Sequence, residues 1–199
     1  AGSVLRQHTD TQLYYQTDHH WTTEAAFYVY QNWADAQKLP VREADHYEIR
    51  TVTDAFEGTI QSKLGIHTVT DSIDLYLAEG DPFYTVQKNG SEEVDYSIYD
   101  YSALDTKDKY AVFFGGNQAL VKISTRAKTD RRFLVIQDSY AHCFLPFLFE
   151  DASEIDVVDL RYYNQKLSDL IAEGNYTDVL FLYNVAGFAE DTSLAKLLG

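Results

Sequence analysis

Methionine is absent from the 199 residues, an initiator included, and cysteine occurs once, at Cys143. A single thiol excludes an internal disulfide, and its place before Phe144-Leu145-Pro146-Phe147-Leu148 marks it as buried and inert. Scarce cysteine fits a reducing compartment, and equally a bacterial surface protein held by its core rather than by bridges. No run of about 18 apolar residues is present, so no membrane-spanning helix is encoded. A signal-peptide pattern is missing too, and the Ala1-Gly2-Ser3 start reads as a fragment of a longer protein, with room upstream for an anchor or export signal. Cationic residues are few: 16 Lys and Arg face 31 Asp and Glu, a net charge of −15. Such a chain repels phosphate backbones and anionic headgroups, which argues against nucleic acid as a partner and leaves membrane contact to an upstream anchor.

What the chain does have is apolar and aromatic material, 45% and 15% of its residues, enough for one substantial core and hence one domain. The aromatics are mostly tyrosine, with 16 Tyr and 11 Phe against 2 Trp. Tyrosine-rich surfaces contact sugars or proteins, but strands with half-buried tyrosines produce the same composition. Residues 22–38 have helical spacing, with Thr22 or Thr23 as cap, an apolar stripe of Ala26, Phe27, Tyr30, Trp33 and Ala34, and Pro40 as the stop. Residues 46–125 change to short β-prone runs: His46–Val52, Ile73–Leu77, Phe83–Gln87, Tyr110–Phe114 and Leu120–Ser124. Gly115-Gly116-Asn117 between the last two reads as a hairpin turn. From 131 onward, strands at Phe133–Gln137, Ile155–Val158 and Val179–Leu182 alternate with helices beginning near Ala141, Tyr163 and Thr192. That order predicts βαβ units in a parallel sheet covered on both faces. In such a sheet the functional side chains gather at the carboxyl ends of the strands, here Asp138-Ser139, Asp159-Leu160-Arg161 and Tyr183-Asn184.

Two segments carry chemistry. Thr17-Asp18-His19-His20-Trp21-Thr22 puts a carboxylate two residues from an imidazole, a compact way to orient a general base. Ser139 follows a buried strand and opens a helix, where it can serve as a nucleophile or simply as an N-cap. The flanks of Ser139 lack the Gly-x-Ser-x-Gly elbow of α/β-hydrolases. Asn184 can donate to an oxyanion or belong to a turn, and Arg161 can bind substrate or pair with one of the many carboxylates. Tyr140, next to Ser139, joins Asn184 and Arg161 as a candidate for oxyanion or substrate binding. His142 lies three residues after Ser139 and could compete as base, or pack within its helix. Adjacent imidazoles beside Asp18 invite a metal, but neighbouring histidines point apart, and no other His, Asp or Glu cluster has ligand spacing. No metal and no cofactor is expected.

Tyr14-Tyr15-Gln16-Thr17-Asp18-His19-His20-Trp21-Thr22 resembles the signature of the DHHW family, bacterial proteins related to the alginate O-acetylation proteins of the SGNH hydrolase-like superfamily. Val135-Ile136-Gln137-Asp138-Ser139-Tyr140-Ala141 resembles that group's nucleophile strand, and Ile155 to Tyr163 the strand that follows. Gly58-Thr59-Ile60-Gln61-Ser62-Lys63 is also family-like, with no chemistry attached to it. The resemblance implies an SGNH-like three-layer α/β/α fold with a parallel sheet and a β-rich insertion at about 46–125. It implies a triad of Ser139, His20 and Asp18, with the pair preceding the serine and spaced Asp-x-His as in the alginate-acetylation branch. Gln137 replaces the glycine usual before the Asp-Ser pair, and Tyr183-Asn184-Val185 lacks the superfamily's Gly-x-Asn-Asp pattern. Trp21, in place of a cysteine, excludes the chemistry of the DHHC palmitoyl transferases. The expected function is an O-acyl esterase or O-acetyltransferase acting on a cell-envelope or secreted polysaccharide outside a bacterial cell. A non-catalytic polysaccharide-binding module on the same fold is the alternative.

Overall fold

In the computed structural model, which describes residues 1–65, 67–80 and 83–198, the chain divides into two units. The first comprises Ala1–Asp81 and Asp100–Phe113, the second Pro82–Tyr99 and Phe114–Gly199.

The first unit holds α1 (Gly2–Leu5), α2 (Thr23–Ala36), β1 (Tyr47–Phe56), α3 (Thr59–Leu64) and β2 (Asp71–Ala78). Of the two cap candidates, Thr22 does the capping: its side chain accepts from Ala25 N–H at 3.2 Å, meeting one of the helix's orphan donors. Thr23 instead donates its hydroxyl to the Asp74 carbonyl at 2.6 Å. The face of α2 formed by Ala25, Ala26, Phe27, Tyr30 and Ala34 is buried, and Phe27 packs against Tyr47 and Tyr76 with ring centroids 5.7 and 5.3 Å away. Burying Phe27 and Tyr30 stabilises the unit by at most about 2–3 kcal/mol each. The helix stops where Lys38 turns left-handed at φ 57°. Strands β1 and β2 pair antiparallel, with register shifts at Thr51/Thr53 and Thr53/Phe56. Ile73 and Leu75 of β2 point inward.

The second unit holds β3 (Tyr84–Lys88), β4 (Leu120–Thr125), β5 (Arg132–Gln137), β6 (Glu154–Val158), α4 (Leu167–Gly174), β7 (Asp178–Leu182) and α5 (Val185–Glu190). Its sheet runs β3-β4-β6-β5-β7. Strands β6, β5 and β7 are parallel as their apolar runs predict, whereas β3–β4 and β4–β6 pair antiparallel. The sheet is therefore mixed rather than wholly parallel. Alternation in β4, with Val121 and Ile123 buried and Lys122 and Ser124 exposed, is the pattern of an antiparallel strand with one solvated face. On one face of the sheet Leu134, Ile136, Val158 and Leu160 pack with Tyr163, Leu167 and Leu170.

Several local expectations are corrected. Tyr110–Phe114 is no strand: Lys109–Phe113 is a 3-10 helix that buries Tyr110, Val112 and Phe113. A short apolar run buried on every side carries no period that separates the two. Gly115 and Gly116, at φ 71° and 82°, thus follow a helical turn rather than join a hairpin. The helix expected near Ala141 is two 3-10 helices, Ser139–Ala141 and Leu145–Glu150, the second with Pro146 in its first turn. The helix expected near Tyr163 begins at Leu167 (α4), and the one expected near Thr192 is a 3-10 helix at Thr192–Leu198, preceded by α5.

Candidate active site

Asp18 and His20 lie in the loop before α2, and both are buried. Asp18 Oδ1 accepts from His20 Nδ1 at 2.5 Å and from the His20 backbone N–H at 3.0 Å. The first contact places the Nδ1 proton towards the carboxylate and makes Nε2 the basic nitrogen of the ring. Oδ2 accepts from the Thr59 N–H and the Thr59 hydroxyl, each at 2.8 Å. Burial pushes the Asp18 carboxyl up, but the hydrogen bonds from His19, His20 and Thr59 outweigh it and hold the group well below the usual carboxylate range. Asp18 is thus a fixed anion aimed at an imidazole.

The second oxygen of that anion is held by the start of α3. The first N–H groups of a helix need outside acceptors, and here they find residues 17 and 18: Thr59 N–H bonds Asp18, while Ile60 and Gln61 N–H bond the Thr17 carbonyl at 3.0 and 3.2 Å. Gly58 sits against this contact so closely that a Cβ there would lie 2.2 Å from Asp18 Cβ and 2.7 Å from its Cα. Behind the loop, Asp71 accepts from Thr17 N–H at 2.8 Å, the Thr17 hydroxyl at 2.5 Å, Gln16 N–H at 3.0 Å and Gln12 Nε2 at 2.7 Å. Spacing alone reveals none of these contacts, although Gly58–Lys63 is a segment that resembles the family. The usable signal was a glycine followed by a hydroxyl residue at a helix start.

His19, which spacing alone leaves without a role, joins the same shell. Its Nδ1 lies 2.7 Å from Thr59 Oγ1. Because that hydroxyl donates to Asp18, it accepts from His19. The flat face of His20 is covered by Tyr110, stacked with ring centroids 3.8 Å apart and 7° between planes. An aromatic face at that distance favours the imidazolium that a general base becomes. Asp18, His19 and His20 are also the group, among the described residues, whose ligand atoms come within 4.8 Å of one another. Both Nδ1 atoms are already hydrogen-bonded, to Asp18 and Thr59, an arrangement suited to orienting a base.

In the second unit, Ser139 opens its 3-10 helix directly after β5 and Asp138. Asp138 caps that turn, accepting from Tyr140 N–H through Oδ1 and from Asn184 N–H through Oδ2, both at 2.9 Å. Tyr140's N–H is therefore spent on the turn. Asn184 Oδ1 caps α5 by accepting from Ala186 and Gly187 N–H at 2.8 and 3.2 Å, so only its Nδ2 could serve an oxyanion. Arg161 forms a two-point pair with the fully buried Asp159, through Nε at 2.9 Å and Nη2 at 2.5 Å. The expected gathering of strand ends is visible here: Asp138, Arg161 and Tyr183 line one cavity of about 300 Å³. His142 is buried and stacked on Phe114 with ring centroids 4.7 Å apart. Cys143 is buried as expected.

The chain is thus a mixed α/β protein that carries an oriented carboxylate–imidazole pair and a serine at a strand end. It belongs to the DHHW family, whose sequence pattern matches residues 2–158. A crystal structure of a DHHW family protein from Eubacterium siraeum is similar over 99% of this chain and 67% of that one, with a TM-score of 0.85 and 26% identity. PatB1 of Bacillus cereus, solved with a sulfonyl adduct, is similar over 92% of this chain and 64% of its own, with a TM-score of 0.76 and 25% identity. A second PatB1 structure shares the fold, with a TM-score of 0.74, 21% identity, and 92% and 65% of the two chains covered. The chain therefore spans about two thirds of the length of these relatives. No curated protein matches it.

Proposed function

We propose that the chain belongs to a bacterial O-acyl esterase or O-acetyltransferase that acts on a cell-envelope or secreted polysaccharide, with Ser139, His20 and Asp18 as its triad. The reading assigns the chain to one SGNH hydrolase-like domain of three-layer α/β/α type, with about 46–125 as its β-rich insertion. Its main support is the 2.5 Å bond from His20 to an Asp18 carboxylate kept ionised, which is how a serine is activated at neutral pH. PatB1 adds to this, because a sulfonyl adduct is what an activated nucleophile leaves with a sulfonyl electrophile.

In this mechanism Ser139 Oγ attacks the acyl ester carbon while His20 Nε2 takes the hydroxyl proton. The tetrahedral oxyanion collapses, the ester C–O bond breaks, and His20 returns the proton to the leaving oxygen. The resulting acyl-serine is attacked by water or by a sugar hydroxyl, with His20 again relaying the proton. Asp18 stays ionised and balances the imidazolium throughout. Asn184 Nδ2, Arg161 and Tyr140 are the candidates for holding the oxyanion or the substrate.

The test is turnover of an acetyl ester reporter together with labelling by an active-serine probe. The wild-type protein is expected to take one label, at Ser139, and Ser139→Ala or His20→Ala to lose about 10³-fold or more of the rate. A wild-type protein that neither labels nor turns over the ester overturns the catalytic reading and leaves glycan binding as the alternative.

A further inference from the structure

We propose that His19 is a positioning residue: with Tyr110 it clamps the His20 ring from both faces and fixes the plane in which His20 moves a proton. The proposal rests on the reading of His20 as the general base, and adds a residue that the triad does not contain.

Neighbouring histidines are expected to point apart, and in an extended strand they would. Here Tyr14 and Trp21 form an isolated antiparallel bridge, Tyr15 N–H bonds the His20 carbonyl at 3.2 Å, and residues 16–20 bend between them. The bend brings the two imidazoles together, with ring centroids 3.9 Å apart and 39° between planes. The Tyr110 ring lies 3.8 Å from the same His20 centroid. Carbon atoms pack no closer than about 3.5 Å, so two rings at these distances cannot share one face of an imidazole without overlapping. His19 therefore covers the face that Tyr110 leaves.

The clamp supplies what the Asp18 bond does not. A hydrogen bond at Nδ1 fixes one atom, and the χ2 torsion of a histidine is broad, so the ring could still swing about that contact. Proton transfer needs the acting nitrogen within about 0.5 Å and 10–20° of its working position. A ring on each face stops the swing and leaves the edge of the imidazole for chemistry. His19 is itself held, with Nδ1 2.7 Å from Thr59 Oγ1 and 3.5 Å from Asp18 Oδ1. Its side chain is half-exposed, whereas His20 is buried. Contacts rather than burial therefore order the His19 ring, and those contacts are with the base, its carboxylate and the threonine that holds the carboxylate. The two functions of His19 are separable: stacking needs a flat ring, and the Thr59 bond needs a donor.

His19→Phe keeps a flat ring against His20 and removes the donor to Thr59; His19→Asn keeps a donor and removes the ring. The experiment measures kcat and KM for an acetyl ester reporter in both variants, and follows the His20 ring protons by NMR, which needs no turnover. His19→Asn is expected to lower kcat about fivefold to tenfold, the upper part of what one aromatic pair is worth, with KM within about twofold. Its His20 ring signals should move downfield as one ring current is lost. His19→Phe should keep kcat within about twofold of wild type and leave the His20 signals shielded. Wild-type kcat in His19→Asn, equal losses in both variants, a loss that falls on KM, or unmoved His20 signals overturns the clamp. A wild-type protein that turns over no ester sinks the catalytic reading instead. The ring signals then decide the clamp alone: a downfield move confined to His19→Asn keeps it, and any other pattern removes it.

Discussion

Replacing Thr59 by valine removes the hydroxyl's hydrogen bond to Asp18 while keeping the volume and the backbone N–H bond. A hydrogen bond to an ionised acceptor stabilises by about 1.5–3 kcal/mol, and the Asp18 carboxylate is buried, so solvent cannot replace what is lost. The chain should lose that much stability at neutral pH. Asp18 sits below its unfolded value of about 3.9, so its contribution is present above that pH and disappears as pH falls through the lower folded value. Both proteins lose this contribution together as pH falls below about 3.9, so the gap between the wild type and Thr59→Val should persist through mildly acidic pH and close only where the folded Asp18 itself takes a proton. Catalysis carries a second signature. With fewer donors on Asp18, more of its negative charge acts on His20, the imidazolium is favoured, and the acid limb of the rate profile moves up in pH. The assays are urea unfolding at several pH values, the pH profile of ester turnover, and NMR titration of the His20 ring, which needs no turnover. Thr59→Ser keeps the hydroxyl and should restore both readouts. An unfolding midpoint within about 0.5 kcal/mol of wild type and an unmoved His20 titration would refute the reasoning.

Gly58→Ala places a methyl 2.7 Å from the Asp18 Cα, where no side chain can rotate away. Overpacking of that kind costs about 1–3 kcal/mol, and a displacement of about 1 Å at Asp18 should cost about 10²-fold in rate, read by the same reporter. Wild-type turnover in this variant would show that the α3 contact is dispensable. Asp71→Asn turns one acceptor oxygen into a donor that faces either the N–H and hydroxyl of Thr17 or the donors of Gln16 and Gln12, which should cost about 2–3 kcal/mol in urea unfolding. A midpoint shift worth less than about 0.5 kcal/mol would mean that the loop before Asp18 is held by other contacts.

How far the site can be read from the chain depends on how far apart its partners lie. The Asp18–His20 bond spans two residues, so an Asp-x-His spacing in one loop suffices to bring them together. The β5 strand is similarly legible, because a strand buried on both faces must be apolar throughout, and Phe133–Ile136 is; β7 is an apolar run too, although Val179 and Phe181 on this edge strand are about half exposed. The other half of the site has no local mark. Thr59 reaches Asp18 across 41 residues, and Asp71 reaches Thr17 across 54. Tyr110, whose ring covers His20, falls in an apolar run whose spacing suits a strand as well as the helical turn it forms. Arg161 sits between these cases: its pairing with a carboxylate is the default for so acidic a chain, and Asp159 stands two residues before it. What spacing could not tell is that Asp159 is fully buried, which turns an ordinary pair into a fixed wall of a cavity. The two levels make different claims about Thr59. Judged from the motif alone, a threonine 41 residues from Asp18 is a helix-start residue worth a few tenths of a kilocalorie per mole. Judged from the hydrogen bonds, it holds one of the two oxygens of the Asp18 carboxylate, and its loss must be visible at His20.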